Sequence, residues 1–157
     1  MPSTASPASP PADIRSDSPM QPDHRALTAE DVLAHGGWHP RYARVIAVTS
    51  DGDYGFALID GNGDGRELET EIWTWQDGTW TAGSSSGAGP LQDVGPVQTG
   101  GQVGHAYFAY GSAPGRQAIT IAFDGQLHTT PINSFGIWAF IKIRSRPHGH
   151  GHPTPAP

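Results

Sequence analysis

From Tyr42 onward the chain is a succession of short apolar runs divided by turn residues: Tyr42 to Thr49, Tyr54 to Ile59, Leu68 to Gln76, Thr79 to Gly83, Gly104 to Tyr110, Gln117 to Phe123, Gln126 to Ile132 and Gly136 to Arg144. β-Branched and aromatic residues recur through most of them. Asp51-Gly52, Asp77-Gly78, Pro114-Gly115, Asp124-Gly125 and Asn133-Ser134 stand between them. Short strands with this punctuation predict an all-β fold, an immunoglobulin-like antiparallel β-sandwich of about seven or eight strands. Asp77-Gly78 and Asp124-Gly125 are the strongest hairpin signals, because a two-residue type I′ turn needs positive φ at both positions.

The Asp77-Gly78 turn sets a register. Gln76 pairs with Thr79, Trp75 with Trp80 and Trp73 with Ala82, so the tryptophans share one face and Ile72, Thr74, Thr79 and Thr81 the other. The tryptophan face is expected to be core, with an exposed aromatic platform for sugars or bases as the alternative. Alternation at Ile119, Ile121 and Phe123, with Thr120 and Ala122 between them, places the first three inside as well.

Ahead of the strands, Leu27 to Gly37 carries helix signals: Thr28 as cap, Glu30 and Asp31 in the first turn, Gly36-Gly37 as stop. A helix this short forms only if Leu27, Val32 and Leu33 dock on something. The predicted organisation is a Pro/Ser/Ala-rich disordered tail over residues 1–25, a short helix within 26–37, the sandwich over 38–146 and a His/Pro/Gly-rich tail over 147–157.

The chain has 157 residues, no cysteine and a formal net charge of −6. Disulfides and thiolate chemistry are thereby excluded. No leader-like segment and no long apolar stretch is present, which predicts a soluble cytoplasmic protein. Asp51, Asp53, Asp60, Asp64, Glu67, Glu69 and Glu71 crowd the second hairpin against Arg66 alone, so neither nucleic acid nor membrane is expected as a partner. Lys142, Arg144 and Arg146 end the last strand and read as a solvated device against edge aggregation.

Asp60 to Glu71 matches the calcium-loop pattern D-x-[DN]-x-[DN]-G-x5-E. Asp60, Asn62, Asp64 and Glu71 would supply side-chain oxygens and Arg66 its backbone carbonyl, with Ca²⁺ as the cofactor. The flanking segments read as strands, and Glu67 stands where an EF-hand loop is apolar. Glu71 falls on the tryptophan face, so it must sit at the sheet margin unless a bulge intervenes. His148, His150 and His152 form a tract able to take zinc, nickel or copper, most simply as a tail. The other histidines, His24, His35, His39, His105 and His128, are scattered.

Gly83 to Pro90 lacks the G-K-[ST] of a phosphate loop and the G-x-S-x-G of a nucleophile elbow. It reads as a flexible connection opening a long loop, Ser84 to Gly101, and Ser84, Ser85, Ser86, Gly87 and Gly89 are the candidate binding loop. The functional expectation is a non-enzymatic binding module for an unknown protein partner. The alternative is a calcium-binding sandwich. A hydrolase using Asp51, Asp53 and Glu69 ranks lower, because loop carboxylates alone do not form the environment-split pair that acid–base chemistry needs.

Ala43 to Val48, Asp51 to Tyr54, Trp75 to Trp80 and Gly83 to Pro90 together resemble a group of small uncharacterised bacterial proteins with an immunoglobulin-like β-sandwich. The resemblance spans residues 42–91 and implies fold only. It lends no activity, and it does not extend to the Asp60–Asp64 loop. That loop is similar to the units of dockerin-type and β-propeller calcium repeats, which occur in several copies where this chain has one.

Overall fold

The structure, a computed structural model, describes residues 24–145 and 151–157. Helix α1 (Ala29–His35) is followed by strands β1 (Arg44–Asp51), β2 (Tyr54–Asp60), β3 (Leu68–Gln76) and β4 (Thr79–Gly89). A 3-10 turn at Leu91–Asp93 leads to β5 (Gln98–Val103), β6 (Ala106–Ser112), β7 (Ala118–Phe123), β8 (Gln126–Pro131), β9 (Ile137–Ile143) and β10 (Thr154–Pro155). The strands form three antiparallel sheets, ordered β1-β2-β3-β4, β5-β6-β9 and β10-β7-β8. The first is a meander, whereas an immunoglobulin sandwich interleaves its strands. The shared feature is antiparallel sheets packed face to face.

The sheets stack in layers, and side-chain alternation shows how. On β2, Phe56 and Leu58 face β5-β6-β9, while Ala57 and Ile59 face the helix side. On β6 and β9, Ala106, Phe108, Tyr110, Ile137 and Ile141 face the first sheet, while Ala109, Trp138 and Phe140 turn the other way to meet Ile119, Ile121 and Phe123 of β7. A strand buried on both faces loses its alternation and reads as a continuous apolar run, as β2, β6 and β9 do. Strand β7 keeps a clean alternation because only one of its faces is inside.

The predicted tryptophan register is observed, with Trp75 opposite Trp80 and Trp73 opposite Ala82. Asp77 (φ 53°) and Asp124 (φ 56°) carry the positive φ that the two hairpins require. Trp73 and Trp80 are buried, but on the outer face of the first sheet rather than between sheets; Leu27, Val32 and Leu33 of the N-terminal segment and helix cover them. Helix α1 is fastened by a capping box in which Thr28 Oγ1 accepts from Asp31 N and Asp31 Oδ2 accepts from Thr28 N. Arg25 grips Asp31 with two hydrogen bonds, of 2.6 and 2.7 Å, and this contact holds the Asp31 carboxyl well below its ordinary range.

Three boundaries differ from expectation. Residues 24 and 25 are placed, with His24 edge-on to Trp75 at 5.0 Å and the Arg25 carbonyl accepting from Trp80 Nε1; the rest of the expected tail, residues 1–23, lies outside the described residues. Gly83 to Gly89 is strand, not loop. A bulge leaves Gly83 and Ser84 opposite Ile72, and a Cβ on Gly83 would lie 3.2 Å from the Ile72 carbonyl oxygen, so glycine there allows the ladder to resume. Residues 151–157 also dock: Thr154 and Pro155 pair with β7, and Ala156 N donates to Thr120 O. Arg144 lies over the rings of Tyr107 and Phe123 and reaches the Gly151 carbonyl, so it is not the solvated edge charge expected of it. Arg146, His148 and His150 lie outside the described residues.

The first two sheets meet along β1 and β9, which run side by side with no backbone ladder between them. Side chains bridge the seam, among them Lys142, 3.9 Å from Asp51 Oδ1. Asn133 Nδ2 donates to Ile46 O at 2.7 Å, and Asp51 Oδ2 accepts from Ile143 N at 2.8 Å.

Truncation of Phe123, 3% exposed in the layer between the second and third sheets, tests this stacking. Phe123→Ala is expected to cost about 3–5 kcal/mol in urea unfolding. A loss below about 1 kcal/mol would mean that β7 does not close the third layer.

Candidate functional site

The loop between β2 and β3 is organised by Asp60, which is fully buried. Asp60 Oδ1 accepts from Gly63 N at 3.0 Å. Its Oδ2 accepts from Gly65 N at 2.7 Å and from Arg44 Nε at 2.9 Å. Gly63 and Gly65 hold positive φ (74° and 75°), which turns their amides back onto the carboxylate. A buried carboxylate is tolerated only when it is paired and hydrogen-bonded, and these three donors meet that condition.

The other members of the calcium pattern are dispersed. Asn62 and Asp64 are exposed, and Asp64 Oδ1 accepts from Arg66 N at 3.0 Å. Glu71 is buried inside the sheet, paired across to Ala57 and Ser85, with Oε1 accepting from Trp38 Nε1 at 3.1 Å. The anticipated bulge exists, but on β4 rather than β3, and Glu71 stays on the tryptophan face, against Trp38. Among the described residues no group of three or more histidine or carboxylate side chains is placed to hold a metal. The acidic patch is correspondingly smaller than its composition suggests, because Asp60 and Glu71 do not reach the surface.

Burial pushes the Glu71 carboxyl above its ordinary value, and neighbouring Glu69 pushes it the same way; the Trp38 hydrogen bond opposes them. The Trp73 indole also favours the ionised form, although its Nε1 makes no hydrogen bond of regular geometry.

Side chains that carried no sequence signal complete the region. Arg44 stacks over the ring of Phe135 at 5.2 Å. Phe135 is exposed on a turn where Asn133 Oδ1 accepts from Phe135 N and Ile137 N. Arg44, Asp64, Leu91, Val94 and Phe135 line a cavity of about 470 Å³. Leu91 N donates to Gly65 O, joining the 3-10 turn to the acidic loop. Only the juxtaposition of five distant segments reveals this cavity.

The candidate binding residues Ser84, Ser85, Ser86, Gly87 and Gly89 are all exposed on β4, the outermost strand of the first sheet. Among the alternative catalytic carboxylates, Asp51 bridges to β9, Asp53 pairs with His24 at 2.9 Å, and Glu69 sits opposite Gly87; they do not converge.

Comparison with family models, with curated proteins and with solved structures finds no significant match in any of the three.

A calcium ion at Asp60 would have to displace two backbone amides and Arg44. Millimolar calcium is therefore expected to leave the melting temperature unchanged. A rise that Asp60→Asn abolishes would restore the calcium reading.

The raised Glu71 value has a definite sign. The folded state holds this proton more tightly than the unfolded chain, so stability falls as pH rises from the ordinary 4.5 through the raised value. Glu71→Gln keeps an acceptor for Trp38 without the charge. It is expected to be more stable than the parent at pH 7 and to lose that advantage near pH 4 in parallel urea titrations.

Proposed function

We propose that the protein is a non-enzymatic binding module that seats an extended partner segment along the free edge of β4. The observation that carries this reading is an exposed edge strand, Thr79–Gly89, 11 residues long, with no charged residue and no proline. Sheet edges are normally blunted, and the other free edges here are. Proline 131 ends β8, and β10 holds Pro155 between Pro153 and Pro157. Strand β5 is bulged between Thr99 and Gly101, and β1 is tied down by Asn133 and Asp51. Strand β9, the remaining edge, faces β1 across the seam, so among the described residues β4 is the strand that presents a long unblunted edge.

Strand addition supplies main-chain hydrogen bonds for affinity and leaves specificity to flanking side chains. Serine and glycine at positions 83 to 87 leave an incoming chain unobstructed. Glu69, opposite Gly87 on β3, favours a basic partner, with association fastest at low salt. A binding rather than catalytic reading also fits the hydroxyl partners. Ser50 accepts from Leu27 N, Ser112 donates to the Val94 carbonyl, and Ser145 donates to Asp124.

A displayed library of random peptides, selected on the full chain, tests the proposal. Binders are expected to be lysine- or arginine-containing and to lose affinity about tenfold or more on N-methylation of alternate residues, since the edge is read through the backbone. The double variant Ser84→Lys/Ser86→Lys, with its melting temperature unchanged, is expected to release them. Binders held equally by that variant, or an absence of binders, would remove β4 as the seat.

A further inference from the structure

The cavity of about 470 Å³ beside the acidic loop lies past the C-terminal end of β4 and has a chemistry of its own. We infer that it binds a free α-amino acid with an apolar side chain.

One wall is a preset cation. Asp60 holds Arg44 by Nε, and Phe135 lies under the guanidinium at 5.2 Å, so the group is restrained from two directions before any ligand arrives. Its terminal nitrogens make no hydrogen bond among the described residues. They lie at the cavity, where a methyl placed on Gly65 would sit 3.7 Å from Nη2. A planar guanidinium with its outer edge free matches a carboxylate bidentately, and restraint lowers the entropy lost on binding.

The opposite charge lines the same cavity. Asp64 uses Oδ1 for the Arg66 amide, and its Oδ2 has no partner among the described residues. Asp64 and Arg44 do not pair with each other within 4.0 Å, although both reach the space. A cation and an anion held apart across a pocket suit a ligand that carries both charges. The same lining holds an apolar part, Leu91, Val94 and Ile137 with the Phe135 ring, beside the polar Gln92 and Ser112. The volume falls within the roughly 300–1,000 Å³ of small-ligand pockets. An ammonium on Asp64, a carboxylate on Arg44 and a hydrocarbon side chain against Leu91 and Phe135 account for the two charges and the apolar part of the lining.

Titration of the full chain with L-leucine, followed by amide chemical shifts, tests this. Shifts are expected at Asp64, Gly65, Leu91 and Phe135. 4-Methylpentanoate, lacking the amine, and 3-methylbutylamine, lacking the carboxylate, are each expected to bind about tenfold more weakly or worse. Asp64→Asn should bind leucine only as well as the parent binds 4-methylpentanoate. Arg44→Lys, which keeps a cation for Asp60, should lose the fork and about tenfold in affinity. Asp64 is exposed, so Asp64→Asn separates loss of the site from loss of the fold. No shift with leucine or phenylalanine at tens of millimolar, or leucine binding unaffected by Asp64→Asn, would overturn the inference.

Discussion

Through β2 the first sheet has no solvent face. Its inner side must close on β6 and β9, and its outer side carries Trp73 and Trp80, which no other sheet covers. The N-terminal segment therefore belongs to the fold. Helix α1 is too short to form alone, and it exists because two tryptophans need a lid and because Arg25, Thr28 and Asp31 lock its first turn. Helix and sheet stabilise each other, and neither is an independent unit.

Double burial also explains which parts of the fold were legible. The Asp-Gly hairpins could be placed to the residue, because positive φ at an aspartate is a local requirement that needs no tertiary context. The alternation of β7 was equally plain. The layer count was not, because a strand buried on both sides carries no period to say which neighbour lies on which face. Strand β4 beyond Gly83 was missed because serine and glycine have little intrinsic strand preference, and it is the ladder offered by β3 that extends them. The C-terminal strand was hidden in the same way, since a proline-rich tail gives no signal that β7 has an open edge.

The acidic loop shows what a full pattern match leaves open. Oxygen ligands at alternating positions with intervening glycines describe a cation cage, but they equally describe a carboxylate capping its own loop amides. The side chain that decides between them, Arg44, lies 16 residues upstream and has no motif to announce it. Glu71, the last member of the pattern, was placed on its correct face by the tryptophan register alone.

The seam between β1 and β9 is held by a few side chains where a backbone ladder would otherwise run. Laddered strands separate only when many bonds fail together, whereas a seam of this kind has few polar bonds to lose besides the apolar contacts of the shared core. Under mechanical load pulling the first sheet from the second, this is the line along which the molecule would part, leaving each sheet intact. The fold is in that sense two shells riveted at Asn133 and Asp51.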